Sequence, residues 1–248
     1  MSLYLKVLLF SFVIPFIASF NSKIKLNNYF LPLYLLTTSV VSAIPFILWD
    51  IYFTYLGVWG FNQQHNSGIM ITNLPLEEYL FFLIIPFCCL FTYFVLKRFE
   101  LFDLRYNKVI LKLFALILFV IGIVFYQRAY TLSVCLLSAL VMLNISFSKS
   151  KWNGYFFSTY IIISLIPFII VNGILTGYLD TNTPPVWYNN TEIIGLRFLT
   201  IPVEDFLYNF VLMYMNYILF EFYFRIKQKN DTANDLLNKC ISQSNLVE

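Results

Sequence analysis

The chain has 248 residues, of which 60% are hydrophobic, 20% aromatic and only 12% charged, with a mean hydropathy of +0.75. An ordinary soluble domain carries roughly 25% charged residues, so this composition excludes a soluble globular fold, whose interior could not hide so much apolar surface. The net charge of +3 arises from small Lys and Arg clusters between apolar runs, which argues against a nucleic-acid surface and for orientation in a membrane.

A membrane-spanning helix needs about 20 mostly apolar residues. In chain order such runs fall at 3–20, 31–50, 76–96, 108–126, 129–147, 154–175 and 203–224, predicting an all-α membrane protein of about seven transmembrane helices. The first run has Lys6 ahead of an apolar stretch ending in Ala18-Ser19-Phe20, as a signal peptide would, but the rest of the chain is equally apolar and the run reads as an uncleaved helix. Only Gln127-Arg128 separates the fourth and fifth runs, so those helices are expected to be antiparallel neighbours. No run looks like a broken helix. The tail after Gln228 is polar and reads as a disordered or loosely helical extension. Cys88, Cys89, Cys135 and Cys240 lack CxxC spacing, so neither a disulfide nor a thiolate metal site is expected.

Alternating sides from helix to helix places Lys23, Lys25, Lys97, Arg98, Arg105, Lys108, Lys149, Lys151, Arg225, Lys227, Lys229 and Lys239 on one side. Lys6, Arg128 and Arg197 fall opposite, and Lys112 lies inside the fourth run. The positive-inside rule then puts the amino terminus outside and the carboxyl terminus in the cytoplasm, as a multi-pass protein of the cell membrane. Loops 51–75 and 176–202 belong to the outer face.

Those loops repeat. Gly68-Ile69-Met70-Ile71-Thr72-Asn73-Leu74-Pro75-Leu76-Glu77-Glu78-Tyr79-Leu80 aligns without a gap on Gly195-Leu196-Arg197-Phe198-Leu199-Thr200-Ile201-Pro202-Val203-Glu204-Asp205-Phe206-Leu207. Upstream, Ser42-Ala43-Ile44-Pro45-Phe46 resembles Ser164-Leu165-Ile166-Pro167-Phe168, and Val58-Trp59 resembles Val186-Trp187. The expected organisation is a first three-helix repeat over 1–107, a connector helix over 108–128, a second repeat over 129–228 and a polar tail over 229–248. A single connector returns the chain to its starting side, so the repeats are expected to be parallel, related by a pseudo-two-fold axis along the membrane normal.

Each repeat closes its outer loop with Pro, an apolar residue and two acids, and then enters an apolar helix. Acids in a first helical turn suit the helix dipole and need no further role. Against that, Glu77, Glu78, Glu204 and Asp205 enter strongly apolar helices near the membrane, where an ionised carboxylate is costly and marks a functional site by default. Neighbouring helix residues diverge by about 100°, so the two acids of one pair cannot face each other, whereas acids of the two repeats can meet across the pseudo-axis. Carboxyl groups pushed apart in protonation suit acid–base work. No GxGxxG, P-loop, HExxH or DxxxD pattern is present. His65, the one histidine, reads as a solvated loop residue, and Asp50 ends an apolar helix on the motif side, where it serves either the site or the interface.

The repeated P-[LV]-E-[ED] after a Gly-containing outer loop, on a duplicated seven-helix chain, resembles the fused form of the flavin-independent membrane lycopene cyclases, over residues 1–228. The resemblance implies a lycopene-like acyclic carotenoid as substrate, within membrane lipid, and association with other carotenoid enzymes. It implies that a carboxylic acid among Glu77, Glu78, Glu204 and Asp205 protonates a terminal C1=C2 bond, C5=C6 closes on the cation, and a carboxylate removes a ring proton, with no cofactor. Aromatic faces would stabilise the cation; Trp59, Tyr79, Phe82, Trp187 and Phe206 are substrate-binding candidates, with Phe61, Phe81, Tyr188, Tyr208 and Phe210 further aromatic candidates and Asp50 and its counterpart Asn172 beside them. The second repeat departs from a double Glu at Asp205 and from Asp50 at Asn172. β and ε rings, and one ring or two, stay open. A carrier of a small or lipophilic solute and a non-catalytic membrane scaffold are the rival readings, the carrier because parallel three-helix repeats also build transporters.

Overall fold

The computed structural model describes the backbone of residues 1–21, 23, 31–150 and 152–244, and side chains as far as residue 225. Lys25, Lys151, Lys227, Lys229 and Lys239 of the orientation argument therefore lie outside the described residues or side chains, as does the thiol of Cys240.

Every predicted run carries helix. The helices are α1 (Leu3–Ser19), α2 (Leu31–Tyr55), α3 (Leu76–Arg98), α4 (Lys108–Val124), α5 (Ala129–Phe147), α6 (Asn153–Leu165), α7 (Pro167–Leu175) and α8 (Val203–Ser244). α2, α3 and α5 are each long and apolar enough to cross a membrane, and α1 is a shorter apolar helix. α8 carries the backbone helix past Gln228 to Ser244, where a disordered or loosely helical tail was expected.

The expectation of an unbroken sixth helix is corrected. α6 and α7 pass as one apolar span only with a 47° bend between them. Pro167 supplies the cause, since it lacks an amide proton and its ring presses on the preceding turn; Ile166 just before it has φ −122° and ψ −76°. Proline alone does not decide the matter, because Pro45, its counterpart in Ser42–Phe46, sits inside a continuous α2. There Ser42 Oγ donates to Asn216 Oδ1 of α8 at 2.7 Å, and α2 packs along both α3 and α8. Pro167 and Phe168 instead border a cavity, and the helix-to-helix contacts that flank Pro45 are replaced there by open space on one side.

α3 and α8 form the middle of the bundle. α3 packs on α1, α2 and α6, α8 packs on α5, α2 and α6, and the two touch each other. α4 packs on α5 through a turn closed by Arg128 N–H to Phe125 O (2.9 Å), as antiparallel neighbours should. The remaining face of α4 is exposed and apolar, including Ile110, Phe114, Ile117, Val120 and Val124, a surface suited to lipid rather than water. At the end opposite the acid motifs, Lys97 pairs with Glu221, which also accepts from Tyr93 OH at 2.7 Å, joining α3 to α8.

Short strands occupy the loops at the motif end. β1 (Trp59–Phe61) and β4 (Val186–Tyr188) pair antiparallel, with Trp59 opposite Tyr188 and Gly60 opposite Trp187. β2 (Met70–Ile71) pairs with β3 (Leu74–Pro75), and β5 (Arg197–Phe198) with β6 (Ile201–Pro202), in hairpins that lead into α3 and α8. The Trp187 ring lies where a Cβ on Gly60 would stand. Gly60→Val is expected to cost about 1–3 kcal/mol by overpacking, read as a lower melting temperature of the detergent-solubilised chain. Adding Trp187→Ala should recover most of the loss; no recovery would mean that the ring is not what Gly60 accommodates.

Candidate functional site

The two motif hairpins set the site. Both turn through a left-handed residue that is not glycine, Thr72 (φ 57°) and Leu199 (φ 56°), a backbone state uncommon for such side chains. Leu76 N–H then bonds Ile69 O at 2.9 Å and Val203 N–H bonds Leu196 O at 3.1 Å, which seats each helix start beneath its own loop. Pro75 caps α3 in extended conformation, with Glu77 and Glu78 in the first turn.

The roughly 100° between successive helix residues separates the acids of each pair into different surroundings. The first of each pair turns to its loop. Glu77 accepts from Ser67 N–H (2.6 Å), Ser67 Oγ (3.1 Å) and Ser2 Oγ (2.7 Å). Glu204 accepts from Ile194 N–H (2.6 Å) and Thr131 Oγ1 (2.7 Å). Ser67 and Ile194 stand ten residues ahead of Glu77 and Glu204 respectively, so the two loops are held in the same way.

The second of each pair turns inward. Glu78 accepts from Tyr4 OH, and the Asp50 carboxyl stands beside it on the same cavity wall. Asp50 in turn accepts from Trp59 Nε1 and, at 3.3 Å, from Thr54 Oγ1. Asp205 accepts from Tyr130 OH (2.8 Å), Tyr188 OH (2.9 Å) and Asn172 Nδ2 (2.6 Å). All of these acids are buried, Asp50 at 2%, Glu78 at 7% and Asp205 at 5% exposure. The Tyr188 phenol, on the strand pair outside the helices, is pushed well above its ordinary range by burial and then by Asp205, and so remains a proton-bearing donor.

Glu78, Asp50 and Asp205 border one cavity of about 250 Å³. Its lining runs down α3 from Glu78 to Thr92, about 21 Å at the rise of an α-helix. Residues at matching places in the repeated sequence line it together: Phe81 with Tyr208, Phe82 with Asn209, Ile85 with Leu212. Between the acids stand four rings. Trp59 lies 4.9 Å from Tyr130 and 6.3 Å from Tyr188, Tyr130 lies 6.1 Å from Tyr188, and Tyr208 is within 6.5 Å of Trp59 and Tyr130. Ring faces carry negative quadrupole charge, so a cation formed here meets electrostatic attraction.

Of the sequence-derived substrate-binding candidates, Asp50, Trp59, Phe82 and Asn172 line this cavity. Three lie elsewhere. Tyr79 points to its hairpin, its OH near Ile71 O (3.0 Å) and Thr72 Oγ1 (3.1 Å). Trp187 is 45% exposed on the far face of the strand pair, while Tyr188 beside it faces inward, because side chains alternate along a strand. Phe206 packs edge-on against Phe168 at 4.9 Å, off the cavity wall. His65 accepts from or donates to no acid of the site; its Nε2 meets Thr183 O at 2.8 Å, tying one outer loop to the other. Tyr4 and Tyr130 were not singled out from the sequence, although both begin the first helix of a repeat and each meets the second acid of the motif. Extending the repeat alignment to that helix start would have found them.

The chain matches the sequence model of the lycopene cyclase family over residues 1–96 and 127–223, segments that each hold one acid motif and that leave out α4. No curated protein and no solved structure matches. A match across both segments, most of the chain, shows the kinship that the repeated motif suggested: the protein belongs to the lycopene cyclase family, which cyclises acyclic carotenoids.

Proposed function

We propose that the protein is an intramolecular lyase, or isomerase, which converts the acyclic ends of lycopene or a related carotenoid into ionone-type rings without net redox change. A carboxyl group protonates the terminal double bond, the next double bond closes on the cation, and a carboxylate takes a ring proton. Glu78, with Asp50, and Asp205 are the acid–base groups in this reading. Glu77 and Glu204 hold the loops that roof the cavity. The chain crosses the membrane about seven times, as two parallel repeats joined by α4, with its amino terminus outside and its acids at the outer leaflet.

The observation that carries this reading is that two buried carboxyl centres, one from each repeat, share an apolar cavity walled by four aromatic rings. Desolvated acids beside ring faces, along a groove long enough for part of a polyene, suit a carbocation reaction and have no evident use in a scaffold. The test is expression of the full chain in a host that accumulates lycopene, followed by pigment analysis. Cyclic carotenoid is the expected result, and unchanged lycopene with the protein present in membranes would overturn it.

The cage gives a second expectation. Tyr208→Leu removes one ring face, about 0.5–2 kcal/mol of cation stabilisation, and should slow ring formation by about 2- to 30-fold. Tyr208→Phe keeps the face and should stay close to the parent rate. Equal loss in both variants would assign the effect to the hydroxyl instead.

A further inference from the structure

The two carboxyl centres are built on matching positions of the repeat, yet they differ in one group, and that difference separates their chemistry. Asp50 and Asn172 occupy the same place in their repeats, each beside the second acid of its motif. Asp205 receives three donors, two phenols and an amide, on its two oxygens. That is the surrounding of an ionised carboxylate, with every donor aimed at negative charge. Around Glu78 the inventory is reversed. Its protein donor is Tyr4 OH, and its other neighbour is a second carboxyl. Asp50 Oδ2 receives no donor among the described side chains, and two neighbouring carboxyls can bond each other only when one of them carries a proton.

Resting on the cyclase reading, we propose that the two repeats divide the reaction: the Glu78–Asp50 pair of the first repeat is the proton donor and Asp205 of the second repeat is the proton acceptor. The O–H bond of the pair breaks as a C–H bond forms at the terminal alkene, leaving a tertiary cation. The electrons of the next double bond form the ring bond and move the charge within the cage. Asp205 then takes a proton from a carbon adjacent to the cation, whose C–H electrons become the new ring double bond. One proton is gained and one is lost, so no oxidant or reductant enters. Asp205 releases its proton to water and the pair takes one from water, which allows solvent deuterium to mark the first step.

The experiment uses membranes holding the full chain, acyclic carotenoid and D2O, with carotenoids recovered for mass spectrometry. The parent protein is expected to give ring product with one deuterium per ring. Glu78→Gln and Asp50→Asn should give at least a tenfold loss of both product and label, because no proton is available to start. Asp205→Asn should lose product at least tenfold yet still label the carotenoid, through exchange of the acyclic end or through water-quenched, hydrated product. Asn172→Asp serves as a second variant that keeps both motif acids: by replacing the amide donor of Asp205 with a carboxyl neighbour it should lower product while label persists. Label lost in Asp205→Asn and Asn172→Asp but kept in Glu78→Gln would reverse the assignment and overturn the proposal, and so would label lost alike in every variant. A parent protein that forms no ring overturns the cyclase reading itself, whereas an active parent with the opposite labelling overturns only the division of roles.

Discussion

Glu78→Gln is expected to lower ring formation by about 10²- to 10⁴-fold, the usual worth of a positioned general acid or base. The amide keeps the size of the side chain and can still meet Tyr4 OH and Asp50, but it carries no proton that an alkene could take. The variant should therefore reach membranes in parental amounts while ring product falls. Pigment chromatography at matched protein level reads the result. More than a tenth of parental product would remove Glu78 from the chemistry. The same substitution at Glu77 should have a much smaller effect, because a glutamine oxygen still accepts from Ser67 N–H and Ser2 Oγ.

Truncation of the first acid is the second large effect. Glu77→Ala leaves the Ser67 amide and the Ser2 hydroxyl without their acceptor, and Glu204→Ala does so for the Ile194 amide and Thr131. A buried donor left unsatisfied costs about 1–3 kcal/mol, which applies in full at Thr131; Ser2 and Ile194 are half-buried and Ser67 is exposed, so water offsets part of the loss there, but each loop so released also lines the cavity. Because a shift of about 1 Å at a reacting centre can cost 10²-fold, activity should fall by about that factor. Loop cleavage by protease should rise with it, and Glu77→Gln should restore most of both. Full activity in Glu77→Ala would show that the loop clasp has no part in catalysis, and an equal loss in Glu77→Gln would move Glu77 into the proton transfer itself.

These two substitutions concern adjacent residues, and sequence alone treats them as one acidic pair. It showed that both pairs exist, that they recur in register, and that successive side chains diverge on a helix. It could not show which member faces the loop and which the cavity, because that depends on the rotation of α3 and α8 about their axes. Packing against α1, α2, α5 and α6 sets that rotation. The strand pair presents the same problem at smaller scale. Val58-Trp59 and Val186-Trp187 look alike in sequence, but the register sets Trp59 opposite Tyr188, so the inward ring from the second loop is Tyr188.

Hydropathy and repetition in the sequence determined the helical character of the chain, the places of its apolar segments, and the four acids worth following, since a span of some 20 apolar residues and a recurring motif are local signals. Tertiary structure alone decided that α6 and α7 part at Pro167 while α2 runs straight through Pro45, that Tyr4 and Tyr130 reach the second acids, and that Asp50 pairs with an acid where Asn172 serves one. The physical reason is common to all three. Each depends on what stands beside a residue in space, across sequence separations of 33 to 75 positions in the hydrogen bonds to the second acids, and neighbours of that kind are brought together only when the helices pack.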